Sequence, residues 1–173
     1  MAKVRDEVLE VMLKDYKPLY RFLKEANYEK LNAIGTFQVP LNWFFDGQGE
    51  FGHFTDAERV FCFNQLSYVL LAEAFEKGDV PGVPAIPLQD FYILQKNGSY
   101  IVESNNIKYK KPIVSTSPFS GKVEVKDCFL KSKGEIIFFD MDYDFEEGKS
   151  TGDVRCAIIL RDLENLKEIE DKK

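Results

Sequence analysis

A chain of 173 residues with 45% hydrophobic and 14% aromatic content has the size of a single domain and enough apolar side chains to bury a core. Its formal net charge of −6 and isoelectric point near 5.0 argue against a nucleic-acid partner, since phosphate-backbone binders present a basic face. No uncharged run approaches the roughly 18 residues of a membrane span and no signal-like apolar stretch opens the chain, so a soluble, cytoplasmic protein without membrane insertion is expected.

From the N-terminus, Val8, Val11, Met12, Tyr16, Leu19, Tyr20 and Leu23 recur at threes and fours. That spacing predicts a helix from Asp6 to Ala26, kinked or divided at Pro18, and makes residues 1–30 a helical extension. Asn32 to Phe45 is rich in aromatic and β-favouring residues and reads as one or two short strands, punctuated by Pro40 and Asp46-Gly47-Gln48-Gly49. The clearest element follows. Thr55 is an N-cap, Glu58 completes a capping box, and Ala57, Val60, Phe61, Asn64, Tyr68, Leu71 and Phe75 trace one helical face. Phe63, Leu66, Leu70 and Ala74 extend the apolar surface nearly all round, which predicts a central helix wrapped by other structure and ended by Lys77-Gly78.

Pro81, Gly82, Pro84 and Pro87 make the next segment a loop, and Leu88 to Leu94 reads as a short helix or the start of a strand. Tyr100–Val102 and Ile107–Tyr109 fit a strand leading to Lys110-Lys111-Pro112, and three further strands are predicted over Gly121–Leu130, Glu135–Phe145 and Val154–Leu160, with glycine-containing breaks at Lys133-Gly134 and 148–152. Residues 162–173 form a charged tail expected to fray. One long apolar helix followed by antiparallel strands predicts an α+β domain whose curved sheet wraps the helix, spanning residues 1–173. Cys62, Cys128 and Cys156 are odd in number and far apart, as for reduced structural thiols.

Chemistry points to the entrance of the central helix. A helix N-terminus gathers free N–H groups and partial positive charge, which can hold a carbonyl oxygen or an oxyanion. Gly52-His53-Phe54 stands there: Gly52 permits close approach of a ligand, and His53 can deliver or remove a proton near neutral pH. The alternative is a half-buried His53 bonded to a loop carbonyl. Asn64 shares a stripe with Phe61 and Tyr68 and is expected to face inward, as a structural bridge or as a partner for a thioester or a water, with Gln65 about 100° round the helix. Dinucleotide and phosphate-loop glycine motifs, a nucleophile elbow and a zinc histidine pair are all missing. Asp140, Asp142 and Asp144 alternate with apolar residues, which places them on the solvent face of a strand rather than in a metal site.

Gly52-His53-Phe54 followed by Cys62-Phe63-Asn64-Gln65-Leu66-Ser67-Tyr68 resembles the core motif of the FcoT-like hotdog proteins, with Lys110-Lys111-Pro112 and Tyr16 as further likenesses. The resemblance runs from about Tyr16 to Leu160. It implies a hotdog fold, assembly as a homodimer or higher homo-oligomer with sites at the subunit interface, and acyl-CoA or acyl-ACP as ligand. No cofactor is implied, because coenzyme A or phosphopantetheine enters as part of the substrate. Two positions depart from the pattern: Thr55 stands where the family has asparagine, and the family's upstream tyrosine has no counterpart in Phe44-Phe45-Asp46-Gly47. Gly-His-Phe also resembles the hotdog dehydratases, but Ser67 stands where their helix carries glutamate.

The resemblance implies two activities, fatty acyl thioester hydrolysis, which leads, and addition of glycine to the β-carbon of an enoyl thioester; acyl-CoA binding without catalysis is a third reading. Under the first, His53, Asn64 and Thr55 form the catalytic set, while Gly52, Phe54, Phe61, Gln65 and Tyr68 contact the acyl thioester. Lys108, Lys110 and Lys111 are candidates for the phosphates of coenzyme A, or else a solvated strand end.

Overall fold

The computed structural model describes residues 1–40 and 54–164. Strand β1 (Ala2–Lys3), helix α1 (Asp6–Leu13) and a 3-10 turn (Pro18–Tyr20) lead into the hairpin of β2 (Leu23–Glu29) and β3 (Asn32–Phe37). Helices α2 (Asp56–Lys77) and α3 (Leu88–Lys96) come next, then β4 (Tyr100–Tyr109), β5 (Phe119–Lys131), β6 (Ile136–Phe145) and β7 (Ser150–Ile159). The strands form one antiparallel sheet in the order β1-β2-β3-β5-β6-β7-β4. After β3 the chain crosses through both helices and rejoins the sheet at its far edge, so that among the described residues β4 pairs with β7 alone.

Helix α2 owes its limits to its end residues. The Thr55 N–H donates to Glu58 Oε2 at 2.5 Å, and Gly78 takes the left-handed conformation (φ 70°) that closes the last turn. Between them Cys62, Phe63, Leu66, Val69, Leu70, Ala74 and Phe75 are buried. One side of α2 meets the sheet, and α1 and α3 cover much of the other, with the Phe75 and Phe91 rings 5.3 Å apart. Each large side chain removed from water here contributes on the order of 1.5–3 kcal/mol before conformational entropy is subtracted. Along β6, Ile137, Phe139, Met141, Tyr143 and Phe145 point to the helix while Asp140, Asp142 and Asp144 point away. Alternation therefore places those acids outside, as the sequence suggests.

Two expectations need correction. The helix predicted to Ala26 stops at Leu13, and residues 23–29 are a strand. The apolar spacing of Leu23, Ala26 and Tyr28 fits both periods once the irregularity at Leu23/Glu25 is allowed, and ladder pairing with β3 decides for the strand. Arg21 reinforces the break by donating to the Tyr16 and Lys14 carbonyls at 2.9 and 3.0 Å. The β2–β3 turn uses Lys30 and Leu31 with φ of 40° and 63°, a mirror-image turn made without glycine or asparagine, so nothing in the sequence announced it. Of the two alternatives for residues 88–94 the helix is the one formed, as Leu88–Lys96, and β4 is the single strand expected across Tyr100–Tyr109. Finally, Gly152 lies inside β7 rather than in the preceding turn, facing Tyr143 of β6. Of the one or two strands expected over Asn32–Phe45, β3 is one, and residues 41–45 fall outside the described residues.

Candidate site at the start of the central helix

Gly52 and His53 lie outside the described residues, so the site is built from Phe54 onward. The Phe54 N–H donates to the Ile113 carbonyl at 3.0 Å, and its buried ring lies 5.2 Å from Phe119 and 5.3 Å from Phe145. These contacts fix where α2 begins. Thr55 is exposed beside it.

One turn in, a polar cluster occupies the inner side of the sheet. Arg59 has a side chain only 2% exposed; its Nε donates to Asp56 Oδ1 at 2.8 Å and its Nη1 to the Tyr143 hydroxyl at 3.4 Å. Asn105 of β4, with its amide oxygen turned inward, accepts from Nη1 and Nη2 at 3.1 and 3.2 Å. The Tyr109 hydroxyl, also on β4, donates to Asp56 Oδ1 at 3.4 Å. A buried guanidinium requires such compensation, and burial, which opposes its charge, is outweighed here by Asp56. Tyr143 reaches Arg59 because its cross-strand partner is Gly152: a Cβ at that position would run into the Tyr143 hydroxyl and the Asn106 carbonyl.

Strand β4 then runs alongside α2. Tyr109 meets Asp56, Asn105 meets Arg59, and Tyr100 meets Ser67 (hydroxyls 3.3 Å apart) and the Tyr68 ring (centroids 5.0 Å apart). Beside the Tyr109 end lies a pocket of about 360 Å³ lined by Phe54, Tyr109, Lys110, Lys111, Pro112 and Ile113. Burial, with Asp56 adding to it, pushes the Tyr109 phenol up to about 12, so it stays protonated at neutral pH. Burial likewise raises Tyr16, Tyr68 and Tyr100.

The remaining predicted residues divide. Phe61, Asn64 and Tyr68 share a half-buried stripe of α2, and Phe61 packs against Tyr16, Tyr20 and Phe22 at centroid distances of 5.9, 6.0 and 5.6 Å. Asn64 is less buried than its neighbour, and among the described residues its amide forms no hydrogen bond. Gln65 is fully buried: its Oε1 accepts from the Phe22 and Leu23 N–H groups at 3.0 and 2.9 Å, and its Nε2 donates to the Tyr20 carbonyl at 2.6 Å. The amide of Gln65 thus ties α2 to the head of β2. Lys110 and Lys111 join Phe54 at the pocket, whereas Lys108 lies on the outer face of the sheet with Lys122, Asp142 and Asp153. Sequence reasoning missed Asp56, Arg59, Asn105, Tyr109 and Tyr143. The one local signal was the Asp56–Arg59 spacing of a helical ion pair, which ordinarily marks a solvated face.

A family model described as "FcoT-like thioesterase domain" matches residues 11–158. A (2E)-enoyl-ACP glycyltransferase of Mycobacterium marinum is 25% identical over 151 residues, covering 80% of this chain and 77% of that protein. A protein of the same name from Streptomyces coeruleorubidus is 23% identical over 164 residues, covering 89% and 96%. Among solved structures, thioesterase superfamily member 2 from Mus musculus superposes with a TM-score of 0.53 at 13% identity, over 92% of this chain and 99% of the mouse chain. The shared architecture is the hotdog fold, as the resemblance implied.

Proposed function

Because the chain belongs to the FcoT-like thioesterase domain family, we propose that it is an enzyme of carrier-bound acyl thioesters, acting on an enoyl thioester by adding glycine at the β-carbon. The observation that carries the reading is the pocket where α2 begins, flanked by Phe54, Tyr109 and two lysines. The thioester oxygen would lie against the first N–H groups of α2 with His53 and Thr55 as further donors, an arrangement suited to the enolate that forms on addition. Lys110 and Lys111 would meet the phosphate of phosphopantetheine or the acidic surface of a carrier protein. The acyl chain would follow Phe61 and Tyr68. The names of the two relatives and their coverage support the carrier and the nucleophile.

Thioester hydrolysis is the second reading. It is favoured by the family description and by the half-buried Asn64 amide, which could hold a water in the aromatic stripe. We also infer a homodimer formed through β4, where Ile101 and Val102 are 46% and 42% exposed on a strand that pairs, among the described residues, with β7 alone. One experiment separates the activities. Enoyl and saturated acyl groups on ACP and on CoA are incubated with and without glycine, with the adduct followed by mass spectrometry and free thiol by a colorimetric reagent. A glycine adduct supports addition; thiol release without glycine supports hydrolysis. Binding without turnover refutes both.

A further inference from the structure

The Asp56–Tyr109 contact has no role in the roles proposed for His53, Asn64 and Thr55, and it faces the same pocket. Tyr109 lines that pocket and is 47% exposed, while its hydroxyl donates to Asp56 Oδ1 at 3.4 Å. The oxygen that accepts this proton also receives the Arg59 Nε–H, which fixes the carboxylate from the buried side. Tyr109 thus lines the pocket while contacting both Asp56 and Arg59, and a proton taken from the occupant can pass through Tyr109 onto a carboxylate already oriented to receive it.

We propose that Tyr109 and Asp56 form the proton shuttle of the addition reaction, Tyr109 touching the nucleophile and Asp56 receiving the proton behind it; this rests on the glycine-addition reading. The neutral amine of glycine attacks the β-carbon, forming the N–C bond, while the C=C π pair moves toward the thioester oxygen to give the enolate. An N–H proton of the adduct passes to the Tyr109 oxygen as the Tyr109 proton passes to Asp56. The shuttle then reverses: Asp56 returns its proton to Tyr109, and Tyr109 gives one to Cα as the enolate pair forms the Cα–H bond. The net change is one N–H bond exchanged for one C–H bond, with no oxidant or external acid consumed. Arg59 acts as a positioning residue, since it holds Asp56 and not the substrate.

The test compares Tyr109→Phe, Asp56→Asn and Asp56→Glu with the natural chain in glycine addition to an enoyl-ACP. Removing a group that transfers protons in the transition state is expected to lower kcat about 10²- to 10⁴-fold. Tyr109→Phe leaves the Asp56–Arg59 pair intact, so its melting temperature and its KM for enoyl-ACP should stay close to those of the natural chain. Asp56→Glu should recover part of the activity that Asp56→Asn loses. A solvent deuterium isotope effect on kcat should be present in the natural chain and disappear in the residual activity of Tyr109→Phe, which a merely structural tyrosine would not cause. If the natural chain adds glycine and Tyr109→Phe does so within threefold of its rate, the shuttle is wrong and the addition reading stands. If the natural chain adds glycine to no enoyl thioester, the addition reading falls and the shuttle with it.

Discussion

Replacing Gln65 by leucine should unfold the junction between helix and sheet without altering the apolar shape of the core. In the native chain one side-chain amide serves three main-chain groups: two N–H donors at Phe22 and Leu23, and the carbonyl of Tyr20. These groups sit where the 3-10 turn gives way to β2, and the Phe22 side chain is fully buried. A leucine fills the volume but satisfies none of them. At roughly 1–3 kcal/mol for each buried polar group left unpaired, the loss should be at least about 3 kcal/mol. For a domain of this size, that corresponds to a fall of about 6–12 °C in Tm. Gln65→Glu separates the two halves of the interaction. Its protonated carboxyl keeps an acceptor for the two N–H groups and an O–H donor for the Tyr20 carbonyl, whereas the ionised form loses the donor and buries a charge, so its cost should grow as pH rises. Equilibrium urea unfolding of the three proteins measures both differences. A Gln65→Leu variant within 1 kcal/mol of the natural chain would refute the argument, because it would mean that the three backbone groups are satisfied in some other way.

Other expectations follow from single contacts. Gly152→Ala places a Cβ against the Asn106 carbonyl and the Tyr143 hydroxyl; backbone cannot yield cheaply, so a loss of about 1–3 kcal/mol is expected in urea unfolding, together with displacement of Tyr143 from Arg59. Asp140 accepts from Arg155 Nε and Nη2 at 2.6 and 2.7 Å, and this holds its carboxyl below the ordinary carboxylate range. The folded value is the depressed one, so the contribution is present above the unfolded value near 3.9 and is lost as pH falls through the folded value. Asp140→Asn should therefore lower stability slightly at neutral pH and converge on the natural chain under acid conditions, as read from melting curves across pH. Reversing Lys110 and Lys111 to glutamate should raise KM for acyl-ACP about fivefold, taking roughly 0.5 kcal/mol per reversal at an exposed site, with kcat unchanged and the salt dependence of KM reduced.

What the sequence disclosed and what it withheld share a physical basis. Helix α2 was legible to within a residue at each end because its signals are local: a capping box at Thr55 and Glu58, an unbroken apolar surface, and Gly78 free to adopt positive φ. β6 was legible because its acids alternate with its apolar residues, and the two faces of a strand have no other way to sort them. β2 was not, since its inward residues also satisfy a helical spacing, and the turn that pairs it with β3 is built from Lys30 and Leu31. Only partnership with β3 and with Gln65 tells strand from helix there. The candidate site repeats the pattern at the level of side chains. Phe54, Lys110 and Lys111 were identified from neighbouring motifs and do line one pocket. Asp56, Arg59, Asn105, Tyr109 and Tyr143 come from α2, β4 and β6, and no spacing along the chain predicts that two strands so distant in sequence will flank the first turn of the helix. Arg59 is the sharpest case. On a helix wheel it is an ordinary surface cation paired with Asp56, and its burial follows from the inward aim of Tyr143, which Gly152 on the next strand makes room for. A glycine that reads as a turn in one dimension is what lets a charge be buried in three, and the placement of the Asp56 carboxylate depends on that charge.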